Sequence, residues 1–454
     1  MRKITVLMLI FLLMFSLISC GADQPEEQGT EQETTGGETV ETGDQEMVNA
    51  NLMDASWQKT ASEDEINQYL DTLYSSENPS EQIRKTAMEL YLKLAAEDIK
   101  AGKNTMVSPL SFLTAMGLLE NGAKDATLEE IQDAFGMDIE AFNKWYDAWS
   151  KLLILNGGDV LKVANSVWYK DDPLLNVSED YLKKMAEIYE AQAFKAAFDD
   201  GTLKDINGWV NDNTNGMIPS ILDNISRDAV MFLINATCFE GAWFNEYEDD
   251  QIHENETFTR EDGTEEKVVM LASTETDGQY YENELFTGAS KYYADGFKIT
   301  FLLPKEGKTL TEAMEQMTGD SLTDFFRSSQ MADVDLYIPE FSFDYTAPDS
   351  IGALKAMGIE TVFDEYNADL SPMAVSEDGY NLYVNTVIHK THIELDREGT
   401  KAAASTVIGI ARATAAYGEV PKREVRLDRP FAFVISDNQT DTPIFVGTVN
   451  SIND

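Results

Sequence analysis

The chain has 454 residues, with 34 Lys or Arg against 81 Asp or Glu, and its formal net charge at pH 7 is −47. This acidic excess excludes nucleic acid as a partner, because contacts with phosphate need clustered basic side chains. Two cysteines and three histidines occur, and no cysteine pair has the spacing of metal ligands. The sequence therefore predicts neither a metal site nor a cofactor.

The N-terminus is typical of an exported protein. Arg2 and Lys3 precede an apolar run over 4–18 that is too short to span a bilayer and fits a secretory signal peptide. The run ends at Cys20 in a tetrapeptide that resembles a bacterial lipoprotein processing site; the alternative is an ordinary signal peptide with an incidental cysteine. We predict a signal peptide at 1–19 and lipidation of Cys20, which would anchor the protein to a membrane at its extracellular, bacterial cell-surface side.

The stretch that follows has the composition of a tether. Residues 21–46 contain no Lys or Arg and consist mainly of Glu, Asp, Gln, Thr and Gly, a composition that does not form a core. We predict a disordered acidic tether over 20–79 and a folded domain over 80–454. With Cys20 lipidated, Cys238 has no disulfide partner and is expected to be a small buried core residue.

Helical patterns dominate the first part of the folded domain. Apolar residues recur at helical spacing over 81–100, with Ser80 as candidate cap. Ser108 stands at an N-cap position before Pro109, and Thr127 and Glu130 have the spacing of a capping box. Further helices are predicted at 178–190, 309–317 and 348–357.

Strand patterns dominate the second half. They occur at 163–169, 231–237, 268–271, 297–303, 334–338, 382–395, 425–435 and 444–449. Helices first and strands later indicate an α+β fold with large mixed β-sheets.

The segment 396–417 has an unusual pattern of small residues. Taken as a strand, one face from Thr400 to Ile410 carries only small or β-branched side chains, while Lys401 lies on the other face. No proline interrupts 396–420, so every backbone N–H is available to a sheet. The Ala-rich part from Lys401 to Ala404 fits a short helix equally well, and the pattern alone favours the helix.

Several motifs resemble the serpin family and occur in that family's order. EGTKAAAST and RPFAFVISDNQTDTPIFVGTV are similar to its hinge and C-terminal strands; NTMVSPLSFLTAMGLLENGAKDATLEEI, ANSVWYKDD, INGWVNDNTNGMIPSIL, FLINATCFEGAWFNEYE and LYVNTVIHKTHIELDREGT are similar to earlier segments. The resemblance covers roughly 80–454. It implies one large domain with N-terminal helices and an exposed reactive-centre loop at about 397–421.

The resemblance implies an inhibitor of serine proteases rather than an enzyme with catalytic residues. A target protease would attack a bond in the loop and form an acyl-enzyme, and the cleaved loop would then insert into the main sheet. The partner is a serine protease in a covalent complex, and the inhibitor is expected to be a monomer.

The family's hinge residues are matched one by one. They are Glu398, Gly399, Thr400, Ala402, Ala403, Ala404 and Ser405. The sequence departs from the family at Arg397 and Lys401, where Glu is common; both are expected to point outward or to precede the inserting part.

The resemblance to inhibitory serpins implies that the bond to be cleaved follows the hinge glycine by about fourteen residues. This count reaches Ala413-Thr414, which suits elastase-like or subtilisin-like proteases with small primary pockets. One residue less gives Arg412-Ala413, which suits trypsin-like enzymes.

A polar cluster beneath the main sheet is matched by Ser108, Ser111, Asn235 and His389, and the tryptophan near the top of the sheet by Trp243. An ordinary buried hydrogen-bond network and a core tryptophan explain the same residues.

Two other functions stay open at this point. One is a non-inhibitory serpin that acts as a surface binding protein. The other is a surface lipoprotein enzyme or solute-binding protein, although the sequence lacks a nucleophile elbow.

Overall fold

A computed structural model describes residues 62–75, 79–157, 160–294, 296–400 and 420–453. The predicted signal peptide, Cys20 and most of the predicted reactive-centre loop lie outside these residues. Among the helices described, none is long and apolar enough to cross a membrane.

Helices make up most of the first third of the described chain, as predicted. Their bounds are α1 (Glu63–Tyr74), α2 (Ser80–Leu94), α3 (Ala96–Lys100), α4 (Pro109–Glu120), α5 (Asp125–Phe135), α6 (Ile139–Gly157), α7 (Glu179–Tyr189), α8 (Asp200–Asn213), α9 (Leu310–Glu315), α10 (Gly319–Arg327) and α11 (Ser350–Lys355).

The strands begin within the helical part and then take over. Their bounds are β1 (Thr105–Val107), β2 (Leu161–Lys170), β3 (Leu175–Val177), β4 (Gln192–Ala196), β5 (Met231–Phe239), β6 (Gly241–Ala242), β7 (Ile252–Thr259), β8 (Glu265–Glu282), β9 (Phe286–Tyr292), β10 (Phe297–Pro304), β11 (Gln330–Pro339), β12 (Phe341–Thr346), β13 (Ala374–Ser376), β14 (Lys390–Leu395), β15 (Gly399–Thr400), β16 (Lys422–Arg426), β17 (Phe431–Asp437) and β18 (Pro443–Val449).

The strands of the described chain form one large and three smaller sheets. The large sheet has the order β1-β18-β17-β10-β9-β8-β11-β16, with β7 paired to β8. A second sheet has the order β4-β2-β5, a third β12-β14-β15-β6, and β13 pairs with β3. Parallel pairing occurs at β2–β4 and β11–β16 within otherwise antiparallel ladders. The predicted α+β fold with large mixed sheets is confirmed.

Two helices, α4 and α8, pack on the strands near the candidate site. α4 contacts both β5 and β18, and α8 packs on β2 and β5. The second contact buries Trp168, Phe194, Ile206 and Val210 in a core of their own. The edge strand β5 is therefore covered by both helices, as is typical of an α+β fold.

The capping predictions had mixed outcomes. Ser108 caps α4, since its hydroxyl accepts from the backbone N–H of Ser111 at 3.2 Å. Ser80 is instead the first residue of α2. The predicted capping box at Thr127 and Glu130 was wrong, because α5 begins at Asp125 and both residues lie inside the helix. Their side chains instead accept hydrogen bonds from backbone N–H groups at 360–369.

The predicted tether extends too far. Ser62 and Glu65 form a capping box at the start of α1, which lies inside the predicted disordered segment 20–79 and packs on α6. Ile66, Leu70 and Leu73 recur at helical spacing and face the core. The acidic composition concealed this apolar face.

Two strand predictions also need correction. Of the predicted strand 382–395, only Lys390–Leu395 is paired, because a strand exists only where a neighbour accepts its hydrogen bonds. The predicted strand 425–435 is two strands, β16 and β17, which are separated by the turn before Pro430.

We expect Leu73→Ala to lower the free energy of unfolding by about 2 to 4 kcal/mol, because Leu73 is 3% exposed and its loss leaves a cavity between α1 and the core. Urea unfolding followed by circular dichroism measures the change. Tyr74→Ala, at a 60% exposed neighbour, is the matched control and should have a small effect. Equal effects of the two substitutions would contradict the packing of α1.

Candidate functional site

The chain reverses direction at the root of the predicted hinge. The Asp396 carboxylate accepts hydrogen bonds from the backbone N–H groups of Glu398, at 2.8 Å, and Gly399, at 3.2 Å. The Asp396 N–H donates to the Gly399 carbonyl at 2.9 Å. This tight turn makes the hinge run antiparallel to β14.

Gly399 and Thr400 form a short strand between two others. Thr400 is opposite Leu395 of β14 on one side and Gly241 of β6 on the other, and Gly399 is opposite Ala242. A Cβ atom on Gly399 would lie 2.1 Å from the Gly241 carbonyl oxygen. Glycine is required at 399 because the backbones approach so closely.

This placement corrects the predicted start of the exposed loop. The loop was predicted over about 397–421, but Gly399 and Thr400 are buried in the sheet. The small side chains that we expected to insert later include one, Thr400, that already occupies a sheet position.

Aromatic rings fix the hinge from one side. The Trp243 indole N–H donates to the Asp396 carbonyl at 2.9 Å, and its backbone N–H donates to the Glu398 carbonyl at 3.1 Å. Trp243 stacks on Tyr293, with centroids 4.6 Å apart. The Tyr293 hydroxyl is 2.6 Å from the Thr400 hydroxyl. Trp243 was matched from the sequence, whereas Tyr293 was missed because nothing in its local sequence distinguishes it from other core tyrosines.

One ion pair lies at this turn and a second lies beside Trp243. Glu340 accepts from the Arg397 side chain at 3.2 Å and from its backbone N–H at 3.3 Å. Lys291 is buried and pairs with Glu275 at 2.9 Å, and its ammonium lies 4.4 Å from the centroid of the Tyr247 ring. Burial lowers the pKa of Lys291. The half-exposed Arg397 agrees with the expected outward position, but its partner Glu340 was not predicted.

A cleft lies where β15 would continue beyond Thr400. β5 and β14 belong to different sheets, and the cleft between them is lined by Thr237, Cys238 and Phe239, by His392 and Ile393, and by Thr400. Because β6 follows β5 in the chain, a strand that continued past Thr400 in the direction of β15 would run between β5 and β14. Cys238 is a small buried core residue, as predicted, with its sulfur 3.6 Å from that of Met217.

Three of the four predicted cluster residues meet on the β14 side. The Ser108 backbone N–H donates to His389 Nε2 at 2.9 Å, and Ser111 bonds to the Ser108 hydroxyl. The His389 ring packs edge-on against Phe112. Burial lowers the pKa of His389 to about 4, so this imidazole is neutral at pH 7 and accepts through Nε2.

Asn235 belongs to a different network in the described chain. Its side chain donates to Asn165 at 2.8 Å and accepts from the Thr237 hydroxyl at 2.7 Å. Asn165 in turn donates to the Tyr189 carbonyl at 2.8 Å. The predicted cluster is therefore divided between the two sides of the cleft.

The other predicted site residues belong to the segment beyond Thr400. Ala402, Ala403, Ala404 and Ser405 of the hinge, and Arg412, Ala413 and Thr414 at the reactive bond, lie outside the described residues.

We expect acid to destabilise the protein through His389. The folded state holds the pKa of His389 near 4, below the usual 6.5, so it binds fewer protons than the unfolded chain between these values, and stability falls as the pH drops from 6.5 to 4. One pKa unit is about 1.4 kcal/mol, so the loss reaches roughly 3 kcal/mol by pH 4. His389→Gln should remove this part of the decline in the urea midpoint.

The exposed His253 supplies the control. His253→Gln should leave the acid-dependent decline as it is in the parent. A decline of equal size in the parent and in His389→Gln would contradict the assignment to His389.

Comparison with known proteins agrees with the fold. The family model of serpins (serine protease inhibitors) matches residues 81–452. The crystal structure of the thermophilic serpin tengpin in its native state has a TM-score of 0.73 and 36% sequence identity, covering 83% of this chain and 95% of that one.

Curated relatives agree over similar lengths. An alpha-1-antitrypsin-like protein of Tamias sibiricus is 30% identical over 373 residues, which are 80% of this chain and 86% of the relative. Neuroserpin of Rattus norvegicus is 27% identical over 393 residues, which are 82% of this chain and 91% of the relative. With a family model that covers most of its length and these relatives, the chain belongs to the serpin family.

Proposed function

We propose that this serpin inhibits serine proteases as a suicide substrate. Members of the family are mostly protease inhibitors, and some are non-inhibitory. One observation carries the proposal: β15 begins a strand between β14 and β6, directly above the cleft between β5 and β14. An inhibitory serpin needs such an opening, because the cleaved loop must enter the sheet before the acyl-enzyme is hydrolysed.

The composition of the loop supports the same step. Continuing the parity of Thr400, the side chains of Ala402 and Ala404 would face the core, and both are small and uncharged. Each inserted residue would bond through its backbone to β5 on one side and β14 on the other. The uncleaved form is then a higher-energy state held by a kinetic barrier, and insertion releases the difference.

The target follows from the residue before the reactive bond. With cleavage between Ala413 and Thr414, the small side chain suits elastase-like or subtilisin-like proteases. With cleavage between Arg412 and Ala413, the guanidinium suits a trypsin-like pocket that carries a carboxylate. We favour the first bond.

We further propose that the inhibitor is attached to a membrane. The signal peptide and Cys20 support a lipid anchor, and the acidic segment without Lys or Arg supports a spacer between the anchor and the folded domain. The serpin would then act at the extracellular surface of a bacterial cell, as a monomer.

The direct test is to mix the chain from residue 21 onward with elastase, subtilisin and trypsin. We expect a covalent complex with elastase or subtilisin that survives boiling in detergent, because an acyl-enzyme is trapped by loop insertion. Mass spectrometry of the released C-terminal fragment locates the cleaved bond. Clean cleavage of the loop by all three proteases with no complex would favour a non-inhibitory serpin instead.

We expect Thr400→Arg to convert the inhibitor into a substrate. Thr400 is 4% exposed and its side chain faces Tyr293, so an arginine at this position would bury an unpaired charge and slow insertion. The readout is the number of inhibitor molecules consumed per protease inactivated, which should rise at least about tenfold.

Glu394→Arg is the matched control, because Glu394 is exposed on the neighbouring strand β14 and is not one of the hinge residues. This variant carries the same side chain outside the buried face and should inhibit like the parent. Full inhibition by Thr400→Arg would remove the argument from the buried face.

A further inference from the structure

We propose that Tyr293 is a positioning residue that sets the register of loop insertion. In this inference, which rests on the proposed function, the Tyr293 hydroxyl selects the hydroxyl of Thr400 as its neighbour and so holds the first inserted residue in place. The consequence is a larger share of proteases trapped before their acyl-enzyme is hydrolysed.

The Tyr293 ring has little freedom to move. It is 2% exposed, stacks on Trp243 at an interplanar angle of 9°, and meets the edge of Phe239 at a centroid distance of 4.9 Å. Its backbone pairs with Trp243 and donates to the Phe297 carbonyl at 3.0 Å. The hydroxyl is therefore a fixed point against which Thr400 is placed.

The Tyr293 contact adds to the turn at Asp396, since the strand pairing itself is short. In the described chain β15 has two residues, with one partner in β14 and two in β6. Successive strand residues face opposite sides, so a slip of one residue would turn Lys401 toward Tyr293. A lysine there would lie against the stacked rings of Tyr293 and Trp243, whereas Thr400 fits with its hydroxyl 2.6 Å from that of Tyr293.

Register matters because the trapping step competes with hydrolysis. When Gly399 and Thr400 are already held in register, the remaining loop residues extend β15. When they are not, the chain must first order these two residues, at a cost in conformational entropy. Slower insertion leaves the acyl-enzyme more time to be hydrolysed. Docking of the protease is not affected, since the favoured reactive bond begins thirteen residues beyond Thr400.

The test separates these two steps with Tyr293→Phe, which removes only the hydroxyl. The stoichiometry of inhibition is the number of inhibitor molecules consumed per protease inactivated, and this number minus one is the ratio of hydrolysis to trapping. We expect that ratio to rise about fivefold, which is the effect of losing one hydrogen bond. The association rate constant with elastase or subtilisin should not change. Thr400→Val, which removes the partner hydroxyl, should have the same effect, and the double variant should add little to either.

Tyr91→Phe is the matched control. Tyr91 is also buried and its hydroxyl is 2.8 Å from that of Thr105, in α2 and β1 far along the chain from the hinge. It should lose similar stability in urea while its stoichiometry remains that of the parent.

Three results would overturn the proposal: equal stoichiometry in Tyr293→Phe and the parent, an equal rise in Tyr91→Phe, or a fall in the association rate constant that accounts for the loss. Failure of the proposed function is distinct, because the parent itself would then form no covalent complex with any of the proteases. In that case both proposals fail.

Discussion

The backbone pairing of Gly399 and Thr400 with Gly241 and Ala242 is the contact on which the candidate site depends. It connects β14 to the chain that continues from β5, and so joins the upper ends of the two strands that line the cleft. The contact exists because both sides have glycine. A Cβ atom on Gly399 would collide with the Gly241 carbonyl, and one on Gly241 would lie 2.9 Å from the Tyr293 ring. The turn at Asp396, the Trp243 indole and the Tyr293 hydroxyl then hold Gly399 and Thr400 in this position.

Neutral polar groups form the two buried networks beside the cleft, while His392 in the cleft lining contacts Asp344 at 2.8 Å. The ion pair Arg397–Glu340 lies at the hinge root, and the pair Lys291–Glu275 lies beside Trp243. Beside the cleft, His389 is neutral because it is buried, and Asn235 bonds to neutral partners. Neutral hydrogen bonds are exchanged at lower cost than buried ion pairs, which leave an uncompensated charge when broken. This arrangement fits a sheet that opens beside the cleft while the hinge root stays in place.

Elements that depend on local sequence signals were predicted well, and elements that depend on a distant neighbour in the chain were not. Strands β2, β5, β10 and β18 were predicted because they are buried runs of β-formers, and the cap of α4 because Ser108 and Pro109 are local signals. The segment 382–389 was also predicted as a strand from its sequence pattern, but it forms no strand. Strand pairing depends on a neighbour elsewhere in the chain. Helix α1 was missed because its capping box and apolar face are embedded in an acidic composition.

For the candidate site, the sequence by itself determined residue types: a glycine at 399, a hydroxyl at 400, small side chains beyond it and a tryptophan at 243. The resemblance to serpins singled these positions out, and their residue types are stated directly by the sequence. Only the tertiary structure decided that Thr400 is already buried, that its neighbour is Tyr293, that Arg397 pairs with Glu340, and that Asn235 and His389 belong to separate networks. These contacts join residues far apart in the chain, the nearest being Arg397 and Glu340 at 57 positions. Their distance in space follows from the packing of sheets and not from any local pattern.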